Sequence, residues 1–83
     1  MDDREEALRA IVRTKLAYGR LPVDGISRFW VGPSNGETCD VCELTITNER
    51  VVEGIVSTGD RRQPLQLHVR CFYLWDDERQ ALR

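Results

Sequence analysis

Four aliphatic residues recur at helical spacing near the start of the chain: Leu8, Ile11, Val12 and Leu16. They fall on one face of a helix, the alanines between them favour helical backbone, and the acidic residues of the first turn complement the positive end of the helix dipole. Gly19 and Pro22 end the pattern, because glycine supplies a left-handed cap and proline cannot donate the next hydrogen bond. Residues 1–19 are therefore predicted to form an amphipathic helix.

The apolar stripe of this helix has two candidate partners, which the sequence leaves open. It packs either on a second helix of the same chain or on another copy of itself. Lys15 lies close to the centre of the stripe. We expect its aliphatic stem to cover apolar surface while its amine reaches water.

Residues 20–38 are rich in glycine and proline and are predicted to form an irregular connector. The segment nevertheless carries the apolar triplet Phe29-Trp30-Val31, which is not expected in a fully solvated linker. We expect Phe29 or Trp30 to anchor the connector on the core.

The pattern changes after residue 42, where polar turns separate three short runs of β-favouring residues: 44–47, 51–57 and 63–67. Such runs predict a small antiparallel meander. From Val69 onward the spacing is helical again, with one stripe made of Phe72, Trp75, Arg79 and Leu82. The predicted fold class is thus a small α+β domain with a helix at each end.

The chain has 83 residues, of which 41% are hydrophobic. A domain of this size buries only about 60% of its unfolded surface and usually needs a disulfide, a metal or a partner chain. We expect one domain over residues 1–83, made of the helix (1–19), the connector (20–38) and a metal-binding module (39–83). No run approaches the roughly 20 apolar residues of a membrane span, and the first residues lack a signal-peptide pattern, so we expect a cytoplasmic protein without a membrane partner.

Four residues form two pairs with the same internal spacing: Cys39 with Cys42, and His68 with Cys71. Each pair can present two donor atoms on one side of a turn, and three thiolates with one imidazole form a closed tetrahedral ligand set for zinc. The sequence therefore predicts one structural Zn²⁺ held by these four residues. Because structural zinc contributes about 10–16 kcal/mol in small peptides, we expect residues 39–83 to be unfolded without it.

Other interpretations of the cysteines compete with the zinc site. They could be buried apolar residues, although the two matched pairs use every cysteine and the only histidine of the chain. Cys39 and Cys42 could also form a thioredoxin-like redox pair, but that chemistry is typical of a helix start in a βαβ unit, whereas here strand is predicted to follow. The spacing favours the metal.

Residues 39–75 resemble the treble-clef zinc fingers whose ligands run cysteine, cysteine, histidine, cysteine. The resemblance lies in Cys39-Asp40-Val41-Cys42, in Ile46 and the following hairpin, and in Leu67-His68-Val69-Arg70-Cys71-Phe72. The first half of a LIM domain and the fingers of poly(ADP-ribose) polymerases are similar. The resemblance implies zinc ligands at positions 39, 42, 68 and 71 and a packing role for Phe72. LIM modules bind proteins, whereas the polymerase fingers bind DNA ends.

Catalysis is not expected. A catalytic zinc keeps an open coordination position, whereas four protein ligands fill the predicted site. The only histidine is one of those ligands, so a nucleophile would lack its base, and no phosphate-binding glycine motif is present. The acidic run 76–78 is expected to be a solvated helix face. We therefore predict no enzyme activity and no small-molecule substrate.

Two classes of binding function remain. One is an adaptor or regulator that contacts a protein partner or a second copy of itself, with Trp30 as a candidate contact residue. The other is a nucleic-acid-binding regulator with a basic surface made of Arg9, Arg13, Arg61 and Arg62. The formal net charge of −2 argues against the second class, because phosphate contacts require a basic surface. Metal sensing is a weaker third option, since a closed thiolate site retains its metal tightly.

Overall fold

The structure is a computed structural model that describes residues 3–23, 26–56 and 64–82. Within these residues the fold has two helices and five strands. In chain order they are α1 (Asp3–Ala17), β1 (Ile26–Pro33), β2 (Glu37–Thr38), β3 (Thr45–Ile46), β4 (Arg50–Val56), β5 (Leu65–His68) and α2 (Val69–Ala81). In these three segments, neither helix is long and apolar enough to cross a membrane.

The strands form two antiparallel sheets. The larger has the order β1-β4-β5, with β4 in the centre. Val31 of β1 lies opposite Val52, and Val51 lies opposite His68 of β5, so the sheet extends from the aromatic triplet to one of the predicted metal ligands. The smaller sheet pairs β2 with β3 on either side of the first cysteine pair.

The prediction of an irregular connector over residues 20–38 was wrong where β1 and β2 lie. Glycine and proline indicated a loop, but Gly32 and Pro33 lie at the end of an edge strand. A proline is tolerated there when its missing N–H would point away from the sheet. The expectation that Phe29 or Trp30 anchors this segment on the core was also wrong: they are 54% and 44% exposed, and Phe29 only touches the edge of α2, with its ring 5.5 Å from that of Phe72.

The predicted meander is correct in its strands but wrong in its pairing. The first run, 44–47, contains β3, which pairs with β2 and not with the following strand. The second and third runs do form an antiparallel hairpin of β4 and β5, whose partner on the other side is β1. Residue 57, the predicted end of the second run, and residue 63, the predicted start of the third, lie outside the described residues.

The apolar stripe of α1 packs within the chain, which answers the question that the sequence left open. Leu8, Val12 and Leu16 are buried in one cluster with residues of β5 and α2, whereas Ile11, the fourth residue of the predicted stripe, is 37% exposed. Trp75 is 1% exposed in the same cluster, and its indole N–H donates to the carbonyl of Pro22 at 2.9 Å. The first helix and the end of the chain therefore share one core.

The predicted stripe of α2 needs one correction. Leu82 is exposed, whereas Leu74, which the stripe omitted, is buried beside Cys71 and Trp75. Leu82 lies beyond the last helical residue, so no further turn covers it. Arg79 keeps its predicted place, with its guanidinium 5.1 Å from the centre of the Trp75 ring.

Candidate metal centre

The structure brings the four predicted ligands together. One donor atom from each of Cys39, Cys42, His68 and Cys71 lies within 4.8 Å of the other three. The imidazole Nδ1 of His68 is 3.4 Å from the sulfur of Cys42 and 3.9 Å from that of Cys71. Metal–sulfur and metal–nitrogen bonds of about 2.3 and 2.0 Å place tetrahedral donors roughly 3.5–3.8 Å apart. The cluster is therefore compatible with one metal ion.

The first cysteine pair lies in a tight turn between β2 and β3. The N–H of Cys39 donates to the carbonyl of Leu44 at 3.0 Å, and the N–H of Glu43 donates to the carbonyl of Cys39 at 2.9 Å. Glu43 has a φ of 63°, a left-handed conformation that reverses the chain. Inside the turn, the N–H of Val41 points at the sulfur of Cys39 at 3.4 Å. The turn thus aims both side chains inward and supplies a backbone donor to a thiolate.

The second ligand pair lies where β5 becomes α2. His68 is the last residue of the strand and the N-cap of the helix, and Cys71 follows in the first helical turn. The positive end of the helix dipole favours a thiolate at that position. A strand running directly into a helix thus brings both donors to one point.

Asp40 connects the two halves of the centre. Its backbone N–H donates to the carbonyl of Gln66 at 2.7 Å, and its carboxylate accepts from the N–H of Gln66, also at 2.7 Å. This pair of bonds joins the cysteine turn to β5, two residues before His68. The first and second ligand pairs are therefore held in register by backbone contacts as well as by any bound ion.

Lys15 ties α1 to the same turn. Its amine donates to the carbonyl of Asp40 at 2.9 Å and to the carboxylate of Glu43 at 3.3 Å, and its side chain is only 14% exposed. The expectation that the amine reaches open water was wrong, because the cysteine turn provides acceptors next to it. Sequence reasoning missed both Asp40 and Lys15 as parts of the centre. The only available signal was a lysine within an apolar stripe.

The three thiols differ in their pKa. The pKa of Cys39 lies well below its ordinary value, because the Cys71 thiol and nearby backbone N–H groups donate to the Cys39 sulfur. The pKa of Cys71 is raised, because its proton is shared with Cys39 and its sulfur is buried. Burial also raises the pKa of Cys42. A metal ion must therefore displace protons from Cys42 and Cys71, and metal affinity falls as the pH falls.

The arginines predicted as a basic surface on α1 are bound to acidic residues of α2. Arg9 donates to Glu78 at 3.0 Å and to Asp77 at 3.4 Å, and Arg13 donates to Glu78 at 2.8 Å. The bond from Arg13 contributes most, and together these bonds hold the pKa of Glu78 below its usual range. The donors of both arginines thus face carboxylates of the same chain.

Of the other predicted contact residues, the structure describes only Trp30. Trp30 is on β1 and is 44% exposed. Arg61 and Arg62 lie outside the described residues. The structure describes three residues of the predicted contact set. Arg9 and Arg13 are bound to α2, and Trp30 is the one that leaves a large exposed surface.

No protein-family model matches this chain, and neither the curated proteins nor the solved structures contain a match.

Proposed function

We propose that the cluster is a structural zinc site and that the protein is a non-enzymatic adaptor or regulator acting through protein contacts. The observation that carries the zinc assignment is the convergence of three sulfurs and one imidazole nitrogen within 4.8 Å. Thiolate-rich tetrahedral sets of this kind suit zinc, whereas magnesium and calcium prefer oxygen donors. In a small domain such an ion contributes folding free energy directly.

The order of elements around the centre supports a treble-clef-like arrangement. A cysteine turn flanked by β2 and β3 comes first, the β4–β5 hairpin follows, and α2 supplies the last ligand from its first turn. Treble-clef fingers with this ligand order share that sequence of turn, hairpin and helix. Strand β1 and helix α1 are additions that lie on the hairpin and on α2.

A structural role suits the site better than catalysis. Four protein donors complete a tetrahedron and leave no position for water or substrate. The acidic run of α2 is also engaged within the chain, since Asp76 pairs with Arg79 at 2.6 Å and Glu78 with Arg9 and Arg13. These carboxylates stabilise helix packing in our proposal and do not act as an acid–base pair.

Protein contact is favoured over nucleic-acid contact. Phe29, Trp30 and Tyr73 expose aromatic surface, and aromatic residues are enriched at protein interfaces. A phosphate backbone would have to compete with Glu78 for Arg9 and Arg13, in a chain whose formal net charge is −2. Nucleic-acid binding therefore remains the weaker alternative.

Elemental analysis of the purified protein tests the zinc assignment. We expect one zinc per chain in the wild type and none in Cys71→Ser, which should also lose its helical circular dichroism. Ala7→Ser, on the exposed side of α1, is the control that changes one residue to serine without touching the centre, and it should bind zinc normally. A folded wild type without stoichiometric metal would refute the assignment.

A binding titration tests the choice between partner classes. Fluorescence anisotropy with a labelled DNA duplex, at low and high salt, should show no saturable binding at micromolar protein. Micromolar affinity that weakens steeply with salt would overturn the preference for protein contact, because that salt dependence is the signature of phosphate binding.

A further inference from the structure

Strand β1 is an open edge of the larger sheet. It runs for eight residues, Ile26–Pro33, and pairs with β4 on one side only. Within residues 3–23, 26–56 and 64–82, no strand pairs with its other side. An open edge presents backbone donors and acceptors to any other extended chain, and natural proteins usually protect it with charges or a bulge. In β1 the register with β4 shifts between Ile26 and Arg28, so the regular part of the open edge is residues 28–33.

Two observations identify the residues of β1 whose backbone N–H and C=O groups point away from β4. The N–H of Ser34 donates to the carbonyl of Glu49, which makes these two residues a hydrogen-bonded pair in the antiparallel register. Alternate residues then follow the same rule, so Arg28, Trp30 and Gly32 face β4 with their backbone groups. The backbone N–H and C=O groups of Phe29 and Val31 point away from β4. The position of Pro33 agrees, because its missing N–H falls on the outward side.

Each face of the sheet has apolar side chains beside this edge. Phe29 and Val31 lie on the face where Phe72 of α2 packs, and they are 54% and 45% exposed. Trp30 lies on the opposite face and is 44% exposed. On the first face a groove of about 440 Å³ continues from Phe29 to the exposed ring of Tyr73. Apolar surface on both sides of an open edge is what a docked strand would cover.

We infer that β1 pairs antiparallel with β1 of a second copy of this chain, around a two-fold axis close to Trp30. This inference rests on the proposed function and names the partner of the adaptor. In that register, Phe29 exchanges backbone hydrogen bonds with the second copy's Val31, and an aromatic residue lies opposite a β-branched one, a favourable cross-strand pair. The two Trp30 side chains meet on the other face. The two three-stranded sheets become one six-stranded sheet.

The charges of the strand favour a second copy as the occupant. Arg28 is the only charged residue of β1, and in this register it lies opposite the second copy's Gly32, so no like charges meet. A strand with an acidic or basic pattern would instead indicate an oppositely charged peptide. The edge can therefore pair with a second copy of itself without charge repulsion.

The area of the contact indicates a weak dimer. An aromatic side chain can bury roughly 150–250 Å², so the exposed halves of Phe29 and Trp30 offer on the order of 100 Å² each. Counting both copies, these side chains contribute a few hundred Å², well below the roughly 1,200 Å² of a standard stable interface. We therefore expect association in the micromolar to millimolar range, stronger at high protein concentration.

Two measurements on the zinc-loaded full chain test the dimer. Sedimentation velocity from about 1 µM to about 1 mM should show a mass rising from 9.6 kDa toward twice that value. Amide exchange followed by NMR over the same range should slow at Phe29 and Val31, whereas the Arg28, Trp30 and Gly32 amides, already bonded to β4, should not change. Trp30→Lys places like charges at the two-fold axis and should remain monomeric. Tyr18→Lys, also an aromatic-to-basic change but at an 80% exposed site just after α1, should associate like the wild type.

The outcomes separate this inference from the zinc assignment. A constant mass of 9.6 kDa with one zinc per chain would overturn the dimer and leave the metal site standing. A rising mass without protection of Phe29 and Val31 would also overturn it, because another surface would be in contact. Absence of metal from a folded chain would refute the zinc site whatever the mass.

Discussion

Replacing Asp40 by alanine tests whether the metal centre is held in register by the protein. The carboxylate accepts the N–H of Gln66 at 2.7 Å, at a partly buried site two residues before His68. Asp40→Ala leaves that N–H without its acceptor but keeps the backbone bond from Asp40 to the carbonyl of Gln66. The change therefore loosens the contact between the cysteine turn and β5 without removing a metal ligand.

The expected loss follows from the kind of bond that is removed. A hydrogen bond to a charged group contributes about 1.5–3 kcal/mol to stability. If the metal-free chain is unfolded, this loss of stability appears as a loss of apparent zinc affinity. At about 1.4 kcal/mol per factor of ten, the dissociation constant for zinc should rise roughly 10- to 150-fold. This agrees with the roughly 10- to 100-fold effects measured when residues behind metal ligands are changed.

Competition against a chromophoric zinc chelator measures this affinity, and thermal unfolding of the zinc-bound proteins gives an independent value. Asp40→Asn keeps an oxygen acceptor without the charge and should fall between alanine and wild type. Asp77→Ala removes the same charge from a side chain that is 63% exposed and should change the zinc affinity little. If Asp40→Ala binds zinc as tightly as Asp77→Ala, the reasoning about Asp40 is refuted.

Three further predictions concern the packing around the centre. Glu78→Gln should lower the stability of the zinc-bound protein at pH 7 by about 1 kcal/mol. Because folding depresses the pKa of Glu78, the difference is lost only as the pH falls through the folded-state pKa and should be complete above about pH 4.3. Denaturant titrations at about pH 6, 7 and 8, where the thiolates still hold the metal, should therefore give the same difference, and a difference that changes across this range would contradict the reasoning. Leu74→Ala should lower the free energy of unfolding by about 2–5 kcal/mol, because Leu74 is buried, whereas Leu82→Ala, at an exposed site, should change it by no more than about 0.5 kcal/mol. Equal effects in denaturant unfolding would mean that the buried stripe of α2 is misplaced. In a Trp30→Phe background, a chelator should shift Trp75 emission to longer wavelength as this 1% exposed ring meets water, and an unchanged spectrum would show that the core survives without metal.

The convergence of Cys39, Cys42, His68 and Cys71 and the two helices could be predicted because each depends on local pattern. Metal ligands occur in pairs with short fixed spacing, and α1 and α2 repeat their apolar residues every three or four positions. The β4–β5 hairpin has the same local character, with two β-favouring runs joined by one polar turn. These features leave a trace within a few residues of sequence.

Other features depend on contacts between distant residues, and the sequence carries little trace of them. Strand β1 contains Gly32 and Pro33, which indicate a loop until it is known that they lie at an open edge. Lys15 finds its acceptors on a turn that follows 25 residues later. Arg13 and Glu78 are separated by 65 residues, and neither spacing nor charge pattern connects them. Tertiary neighbours decide each of these roles.

If a bound ion holds residues 39–83 together, as we propose, the contacts of α1 make the rest of the chain depend on that ion as well. Isolated helices shorter than about 12–15 residues are marginal in water, and α1 has 15 residues with few of its own stabilising pairs. Helix α1 is held by contacts with the module around the centre. These are the packing of its buried stripe, the bonds of Lys15 to the cysteine turn, and the ion pairs of Arg9 and Arg13 with α2.

Strand β1 is in the same position, because β4 is its only strand partner in the part of the chain that the structure describes. Loss of the ion would therefore release α1 and the open edge together with residues 39–83. The surface that carries Phe29 and Trp30 would then exist only in the metal-bound protein. Association through that edge should follow metal occupancy, and a chelator that removes the zinc should also remove the dimer.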